Sequence, residues 1–196
     1  MRIKNCSCRF LRFSLALCLL TCSLSLHAQK SYKGDGPDDI LRYVPLTAAI
    51  TLKACGVESA SSWKRFVVNV ALSEAFSLGP TFALKYITHE KRPDWTDHHS
   101  FPSGHTTMAF SGAVILDKEF RRVSPWISVA GYSVATFVAV DRVVRHRHHW
   151  QDVAAGAAIG VGGTLLGYWL GDKLTGEKSR YYVGATSDGV VLAIRL

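Results

Sequence analysis

Cysteine is nearly absent from most of this 196-residue chain. Four of its five cysteines lie in the first 28 residues, and Cys55 alone follows them. A single cysteine cannot form an intrachain disulfide, and it excludes a structural thiolate metal site over the same stretch. Internal repeats and low-complexity linkers are also lacking. We therefore predict one domain, not an array of repeats.

Acidic residues are missing from the first 28 positions, where four basic residues precede an apolar run at residues 13–20. This order, closed by the small residue Ala28, is typical of a secretory signal peptide, with an uncleaved anchor helix as the alternative. All 15 acidic residues and 19 of the 23 basic ones follow, so the formal charge falls from +8 to +4. Much of the basic excess therefore belongs to export, and we expect no nucleic-acid partner.

Five later segments have helical character: residues 40–56, 66–86, 103–116, 126–140 and 152–170. Residues 154–170 carry no charge and contain five glycines, small residues that let membrane helices approach closely, namely Gly156, Gly160, Gly162, Gly163 and Gly167. Residues 126–140 are also uncharged, but they are shorter than the roughly 20 residues needed to cross a bilayer. The pattern favours an all-α bundle of membrane helices. A compact soluble helical domain is the alternative.

Basic residues gather at alternate connections of these segments. If the helices alternate in direction, one set of connections contains Lys64, Arg65, Lys118, Arg121, Arg122, Lys173, Lys178 and Arg180. The excess of positive charge on cytoplasmic loops would place this set inside. The other set, residues 85–103 and 141–149, would then face outward, and it holds six of the eight histidines.

The C-terminal tail differs in kind. Apolar residues at 181–183 and 190–194 flank Asp188-Gly189, a dipeptide that favours a type I′ hairpin turn. A two-stranded hairpin is only marginally stable alone, so we expect it to rest on the bundle or on a partner. The predicted organisation is a signal peptide or anchor at 1–28, a helical bundle at 29–178 and a hairpin at 179–196.

Three short motifs occupy the outward connections. They are, in order, Lys85, six residues and Arg92-Pro93; then Pro102-Ser103-Gly104-His105; then Arg142, five residues, His148, three residues and Asp152. A phosphate monoester carries up to two negative charges and hydrolyses extremely slowly without a catalyst. A site for it must gather cations around the phosphoryl group, and Lys85, Arg92 and Arg142 can supply three.

Helix geometry gives the second and third motifs a chemical role as well. Ser103 is a natural N-cap, Gly104 lets the backbone approach a ligand, and free N–H groups at a helix start bind anions. His148 and Asp152 are four residues apart, so they share one face if the helix starts by His148. The carboxylate could then accept the Nδ1–H and leave Nε2 with a lone pair for nucleophilic attack.

Together the motifs resemble the type 2 phosphatidic acid phosphatase (PAP2) superfamily, whose pattern is K-x6-R-P, P-S-G-H and S-R-x5-H-x3-D. The match covers residues 85–152 and departs at Asp141, where the family usually has Ser. The resemblance implies a PAP2-type transmembrane bundle of five to six helices and no metal or other cofactor. It also implies roles for eight residues: His148 as the phosphohistidine nucleophile, Asp152 as its orienting acid, His105 as the general acid, and Lys85, Arg92, Ser103, Gly104 and Arg142 as phosphate ligands.

The substrate is less closely specified. The resemblance and the membrane setting imply a lipid-linked phosphate at the periplasmic face of a bacterial inner membrane. The chain looks most like the bacterial lipid A 4′-phosphatases (LpxF-like). Undecaprenyl pyrophosphate and phosphatidylglycerophosphate are alternative lipids. A soluble periplasmic acid phosphatase, a vanadium haloperoxidase and a non-enzymatic anion carrier are alternative functions, and the oligomeric state is open.

The remaining outer histidines suggest zinc at first sight. They are His89, His98, His99, His146 and His149. Adjacent histidines rarely face one ion, and Arg147 places a cation among the last group. We therefore expect these rings, with Trp95 and Trp150, to line the mouth of the site at headgroup depth.

Overall fold

The computed structural model of the protein describes residues 36–176, 181–186 and 189–194. Within this part of the chain there are six helices, α1 Pro37–Leu41, α2 Val44–Ala54, α3 Trp63–Thr88, α4 Gly104–Phe120, α5 Pro125–Val144 and α6 Trp150–Thr175. Two strands follow, β1 Tyr181–Thr186 and β2 Gly189–Ile194. The predicted signal peptide or anchor at residues 1–28 lies outside the described residues.

Local signals fix the ends of the long helices. The Ser62 side chain accepts a hydrogen bond from the Arg65 backbone N–H at the start of α3. Ser124 caps α5 in the same way, and Pro125 follows it at the first helical turn, where a missing N–H costs nothing. Helix α6 ends at Gly176, whose φ of +69° lies in the left-handed region.

Helix α6 packs against α3 and α4 by close backbone approach. A Cβ added to Gly156 would lie 2.6 Å from the Ser103 carbonyl oxygen, and one added to Gly163 would lie 2.6 Å from the Phe76 carbonyl oxygen. No side chain could occupy these positions without moving a neighbouring helix. Gly162 differs, since a Cβ there would meet nothing within 4 Å. The small-residue face therefore includes Gly156 and Gly163 and leaves Gly162 out.

Substituting these glycines should separate packing from helix propensity. We expect Gly156→Ala to lower the free energy of unfolding by about 1–3 kcal/mol, because the new methyl group meets the Ser103 carbonyl. Gly162→Ala is the matched control, and it should be neutral or stabilising by about 0.5–1 kcal/mol. Thermal unfolding of the two purified variants measures the difference. Equal melting temperatures would contradict the close packing of α4 on α6.

Three helices, α3, α5 and α6, are long and apolar enough to cross a membrane, as judged by length and composition. Large apolar side chains on their outer faces are exposed, including Phe82, Phe137 and Trp169, each at least 50% accessible. Exposed apolar side chains on such helices are suited to contact with lipid. The helices thus present a lipid-compatible surface.

Five to six transmembrane helices were predicted, and three helices of the described residues are candidate spans by length and composition. Helices α1 and α2 are too short, with 5 and 11 residues. Helix α4 has 17 residues, ends in charged residues and is buried along most of its length. Because most of α4 is covered by other helices, its sequence need not be uniformly apolar.

The predicted hairpin also needs correction. Strands β1 and β2 pair antiparallel, with Tyr181 opposite Ile194 and Thr186 opposite Gly189. Gly189 is therefore a strand residue, and the connection is residues 187–188, which lie outside the described residues. Neither strand contacts a helix in the described part of the chain. The bundle is therefore all-helical. The two strands pair with each other, Gly189 is not a turn residue, and the strands do not rest on the described helices as predicted.

The helix directions bring the motifs to one end of the bundle. At the other end, Arg65 near the start of α3 forms a 2.7 Å salt bridge with Asp172 near the end of α6. The Ser103 N–H before α4 donates to the Asp152 carbonyl in the first turn of α6 at 2.9 Å. The end of α3, the starts of α4 and α6 and the end of α5 therefore meet, and we call this end of the bundle the site end.

Candidate active site

His148 and Asp152 lie side by side in the interior of the site end. His148 Nδ1 is 3.4 Å from Asp152 Oδ2, and both side chains are at most 1% exposed. Ser100, which the sequence analysis missed, lies against both: its Oγ is 3.4 Å from His148 Nδ1 and donates a short hydrogen bond to Asp152 Oδ2. Because Nδ1 faces oxygen acceptors, the hydrogen belongs on Nδ1 and the lone pair on Nε2.

The pair forms although His148 precedes the helix. Helix α6 begins at Trp150 with His149 as its N-cap, whereas the prediction required a helix from His148. Asp152 is the third helical residue, and its Oδ2 accepts the His149 backbone N–H at 2.9 Å. This capping geometry folds the carboxylate back over the helix start. The same side chain therefore caps the helix and holds the imidazole.

The His148 ring is neutral near pH 7. Burial lowers the pKa of His148 to about 4, with the hydrogen bond to Asp152 opposing the shift and Arg142, Arg92 and Lys85 adding to it. A neutral ring keeps the lone pair that an attack on phosphorus requires. The influence of all three cations on one ring also places the first and third motifs around His148.

Lys85 and Arg92 enter from the end of α3 and the loop that follows it. Lys85 Nζ donates to two loop carbonyl oxygens, at 2.8 and 3.4 Å. Arg92 donates through Nε to Asp97 Oδ1 at 2.7 Å and through Nη1 to the Arg147 carbonyl at 3.4 Å. These bonds fix the first-motif loop against the residues just before His148.

Arg142 lies at the end of α5 and is 2% exposed. Its Nη1 donates to Asp38 Oδ2 at 2.6 Å, whereas its Nε is buried with no partner. A buried, unpaired guanidinium N–H is costly, and an anionic oxygen would satisfy it. Asp38 is itself fully buried and accepts a second bond from Arg145 at 2.7 Å. One edge of Arg142 is thus anchored by Asp38, and the other has an N–H left for a ligand.

Ser103 and Gly104 form the start of α4. Ser103 is the N-cap by position, but its side chain makes no capping bond, and its Oγ accepts from Thr106 Oγ1 at 3.0 Å. A Cβ on Gly104 would lie 3.7 Å from Lys85 Cε, so the second motif adjoins the first. The start of α4 offers backbone N–H groups to an anion at this point.

His105 turns toward α1, which the sequence analysis did not include in the site. Its Nε2 is 2.6 Å from Asp39 Oδ1 and 3.8 Å from Asp38 Oδ2. Arg42 Nη1 lies 2.9 Å from Nε2 and 3.3 Å from Nδ1. Burial lowers the pKa of His105 to about 4, Arg142 and Arg42 act in the same direction, and Asp39 opposes them. The available sequence signal was an acidic pair just before a helical segment.

Asp141 occupies the position where the resemblance departs from the family pattern. Its Oδ2 lies 3.7 Å from Arg145 Nη1, beyond hydrogen-bond distance. Arg145 in turn bonds Asp38. The departure therefore adds a carboxyl group beside the ion pair of Asp38 and Arg145.

One group of side chains among the described residues could in principle hold a metal. Asp38, Asp39 and His105 offer ligand atoms within 4.8 Å of one another. Asp38 is already paired with the guanidinium groups of Arg142 and Arg145. Asp39 contacts the His105 ring, and the guanidinium group of Arg42 lies against the same ring. A divalent cation would add positive charge to this cluster, so the donor set does not fit a metal.

The rings predicted to line the mouth occupy the same end. The His99 ring centroid lies 5.3 Å from that of Tyr86 and 5.9 Å from that of His89. Trp95 and Trp150 are both exposed. Their contact with a lipid headgroup remains a prediction.

Fold and site together define a class of protein. It is an α-helical bundle with membrane-length helices, in which a carboxylate-held histidine stands among fixed cations suited to phosphate. The match to a family model gives this class its name, because residues 65–175 match the PAP2 superfamily. This chain belongs to the PAP2 superfamily, as its three motifs predicted.

Individual relatives agree with the family. A Porphyromonas gingivalis protein named lipid A 1-phosphatase is 40% identical over 145 residues, covering 74% of this chain and 33% of that protein. Arabidopsis thaliana lipid phosphate phosphatase 2 is 39% identical over 75 residues, covering 33% of this chain and 26% of that protein. This chain therefore spans a third or less of the length of these relatives.

A solved structure shares the fold. The crystal structure of Aquifex aeolicus LpxE aligns with a TM-score of 0.53 and 21% identity, covering 68% of this chain and 87% of that one. The comparisons confirm the predicted superfamily and the likeness to a bacterial lipid A phosphatase. The position of the phosphate differs, since the relative is named for the 1-phosphate and the sequence analysis expected the 4′-phosphate.

Proposed function

We propose that the chain is a membrane lipid phosphatase that removes a phosphate group from lipid A at the periplasmic face of the bacterial inner membrane. The observation that carries the proposal is a buried, neutral His148, oriented by Asp152 and surrounded by the cations of the first and third motifs. The names of the relatives support a lipid phosphate as substrate. The alternation of basic loops supports the periplasmic orientation.

The first step transfers phosphorus to the enzyme. His148 Nε2 attacks the phosphorus atom, the bond from phosphorus to the ester oxygen breaks, and His105 gives that oxygen its proton. A phosphohistidine and a free alcohol result. Lys85, Arg92 and Arg142 stabilise the charge on the three remaining phosphoryl oxygens.

The second step restores the enzyme. His105, now neutral, takes a proton from water as the water oxygen attacks phosphorus, and the bond to His148 Nε2 breaks. Inorganic phosphate leaves, and the alcohol has been exchanged for water. His105 acts as acid and then as base, so it ends the cycle as it began.

The low pKa of His105, about 4, is compatible with its role as the acid. A phosphate monoester has its second pKa near about 6, so part of the substrate arrives with a proton of its own. The negative phosphate also raises the pKa of a ring that Arg42 and Arg142 otherwise hold low. Substrate binding thus places a proton on His105 when it is needed.

We propose the 1-phosphate as the group removed, following the name of the Porphyromonas gingivalis relative. The test is mass spectrometry of lipid A from cells with and without the gene, repeated with the His148→Ala variant. Loss of the 1-phosphate that requires His148 supports the proposal, and loss of the 4′-phosphate would reassign the position. Unchanged lipid A with altered undecaprenyl or phosphatidylglycerol phosphates would contradict lipid A as the substrate.

The pH dependence of kcat/KM should report the low pKa of His148. Because the nucleophile must be neutral and its pKa is about 4, activity should persist well below the ordinary histidine value of 6.5. Lys85 contributes to lowering this pKa, so Lys85→Met should raise it and shift the acid limb to higher pH. Both proteins are measured on one substrate, so that the ionisation of the substrate cancels. A shift to lower pH, or none, would contradict the assignment.

A further inference from the structure

We propose that Asp39 is a positioning residue for His105, which makes the short helix α1 part of the catalytic apparatus. The inference rests on the proposed function, in which His105 is the general acid. Asp39 Oδ1 is 2.6 Å from His105 Nε2, and this contact is shorter than the 3.4 Å between Asp152 and His148. The site would then contain two histidines, each held by its own carboxylate.

Helix α1 is fixed firmly enough to perform this task. With five residues it has little stability of its own, so its placement depends on tertiary contacts. Asp38, its neighbour, is fully buried and accepts bonds from Arg142 at 2.6 Å and Arg145 at 2.7 Å. Asp39 Oδ2 accepts the Gly36 N–H at 3.0 Å, which leaves Oδ1 directed at His105.

The contact assigns different roles to the two nitrogens of His105. An ionised carboxylate only accepts hydrogen bonds, so the 2.6 Å contact with Asp39 places the hydrogen on Nε2. Arg42 Nη1, which only donates, can then bond the ring through Nδ1, 3.3 Å away, in the absence of substrate. Nδ1 is then the nitrogen that exchanges a proton with the substrate oxygen or with water. Asp39 thereby fixes both the ring orientation and the reactive nitrogen, as Asp152 does for His148.

The charges around His105 explain why a carboxylate is needed. Helix α1 and the residue after it contribute Asp38, Asp39 and Arg42, and helix α5 contributes Arg142. Helix α3 contributes Lys85, which reaches Gly104 beside the ring. Burial and the cations oppose protonation, while the two carboxylates favour it. Without Asp39, the protonated ring would lose its directly bonded counter-charge.

The experiment compares a poor and a good leaving group in the full-length protein. Asp39→Asn should lower kcat/KM for lipid A in detergent micelles by about 30-fold, within the range of acid–base catalysis. The kcat/KM for 4-nitrophenyl phosphate should fall less than about threefold, because nitrophenolate leaves without a proton and kcat/KM does not include the later hydrolysis of the phosphohistidine. The alkaline limb of kcat on lipid A should shift to lower pH, and Asp39→Glu should restore part of the activity.

The matched control is Asp117→Asn. Asp117 forms a 2.7 Å salt bridge with Arg121 at the opposite end of α4, so its loss should not discriminate between the two substrates. Equal losses of Asp39→Asn on both substrates would reduce Asp39 to a structural role and overturn the inference. Increased activity of Asp39→Asn on lipid A would also overturn the inference, because it would show that the contact between Asp39 and His105 inhibits the enzyme.

His105→Ala separates this inference from the function on which it rests. If His105→Ala lowers kcat/KM for both substrates equally, the general-acid assignment fails. If it discriminates strongly and Asp39→Asn does not, the general acid stands and the role of Asp39 fails. Discrimination by both variants, in the same direction, supports the inference.

Discussion

His148→Ala is expected to lower turnover of lipid A by at least about 10⁴-fold, the largest effect of any single substitution in this chain. The variant has no nitrogen to attack phosphorus, and the neighbouring cations can bind phosphate without transferring it. KM should change much less than kcat, because the phosphate ligands Lys85, Arg92 and Arg142 remain. Initial rates on lipid A, with released phosphate as the readout, measure the loss.

A trapped intermediate gives a second readout for the same residue. Wild-type protein quenched during turnover should carry phosphate on His148, as a phosphohistidine that is labile in acid and stable in alkali. His148→Ala should carry none. His98→Ala is the matched control, since His98 is an exposed histidine of the same outer loops, and it should still form the phosphohistidine. Substantial turnover by His148→Ala would remove the nucleophile assignment.

Binding without turnover distinguishes the enzyme from an anion carrier. A carrier would bind phosphate in both the wild type and His148→Ala and would hydrolyse nothing in either. A phosphatase should lose turnover in the variant while retaining phosphate binding at the unpaired Nε of Arg142. The comparison uses the same two proteins as the kinetic test.

The long helices were predictable because their signals are local. The segments predicted at residues 66–86 and 152–170 correspond to α3 and α6, each extended by a few residues at both ends. Caps and apolar runs fix such helices without reference to the rest of the chain. The segment predicted at 40–56 is instead two helices, broken before Val44. Pro45 explains the break, since a proline fits in the first turn of a helix but not in its interior.

The candidate site was predictable where its residues lie in motifs of fixed spacing. Lys85, His105, His148 and Asp152 fall into this group. Ser100, Asp38, Asp39 and Arg145 do not, because their roles arise from which loop packs against which helix. Asp38 meets Arg142 across 104 residues of sequence, and no periodic pattern connects such positions. The one available signal was the acidic pair Asp38-Asp39 just before the segment predicted at 40–56.

The three motifs do not predict which phosphate of the lipid is removed. In the proposed mechanism the motifs bind a phosphoryl group, the part of the substrate that all lipid phosphates share. Discrimination between a 1-phosphate and a 4′-phosphate depends on the surface that holds the saccharide and the acyl chains. The relevant side chains follow no fixed spacing in the sequence, so substrate identity must be measured.

Asp152→Asn is expected to lower turnover of lipid A by about 10³-fold, the second largest effect after loss of the nucleophile. The amide has nearly the same shape as the carboxylate. Its oxygen can still accept the His149 N–H, which Asp152 Oδ2 accepts at 2.9 Å, so helix α6 should still begin at Trp150. That oxygen also lies 3.4 Å from Nδ1 of His148, so it can still accept the Nδ1–H, but the amide carries no negative charge.

The imidazole ring gains positive charge as Nε2 bonds phosphorus, so without the carboxylate charge kcat should fall while KM and thermal stability change little. Asp172→Asn is the matched control, because it breaks the 2.7 Å salt bridge with Arg65 at the opposite end of the bundle. It should lower thermal stability and leave kcat within about twofold, since effects of distant, independent sites are separable. A kcat for Asp152→Asn near that of the wild type would show that a neutral oxygen acceptor is enough to orient the ring. A matching loss of thermal stability would show instead that Asp152 acts mainly as the cap of α6.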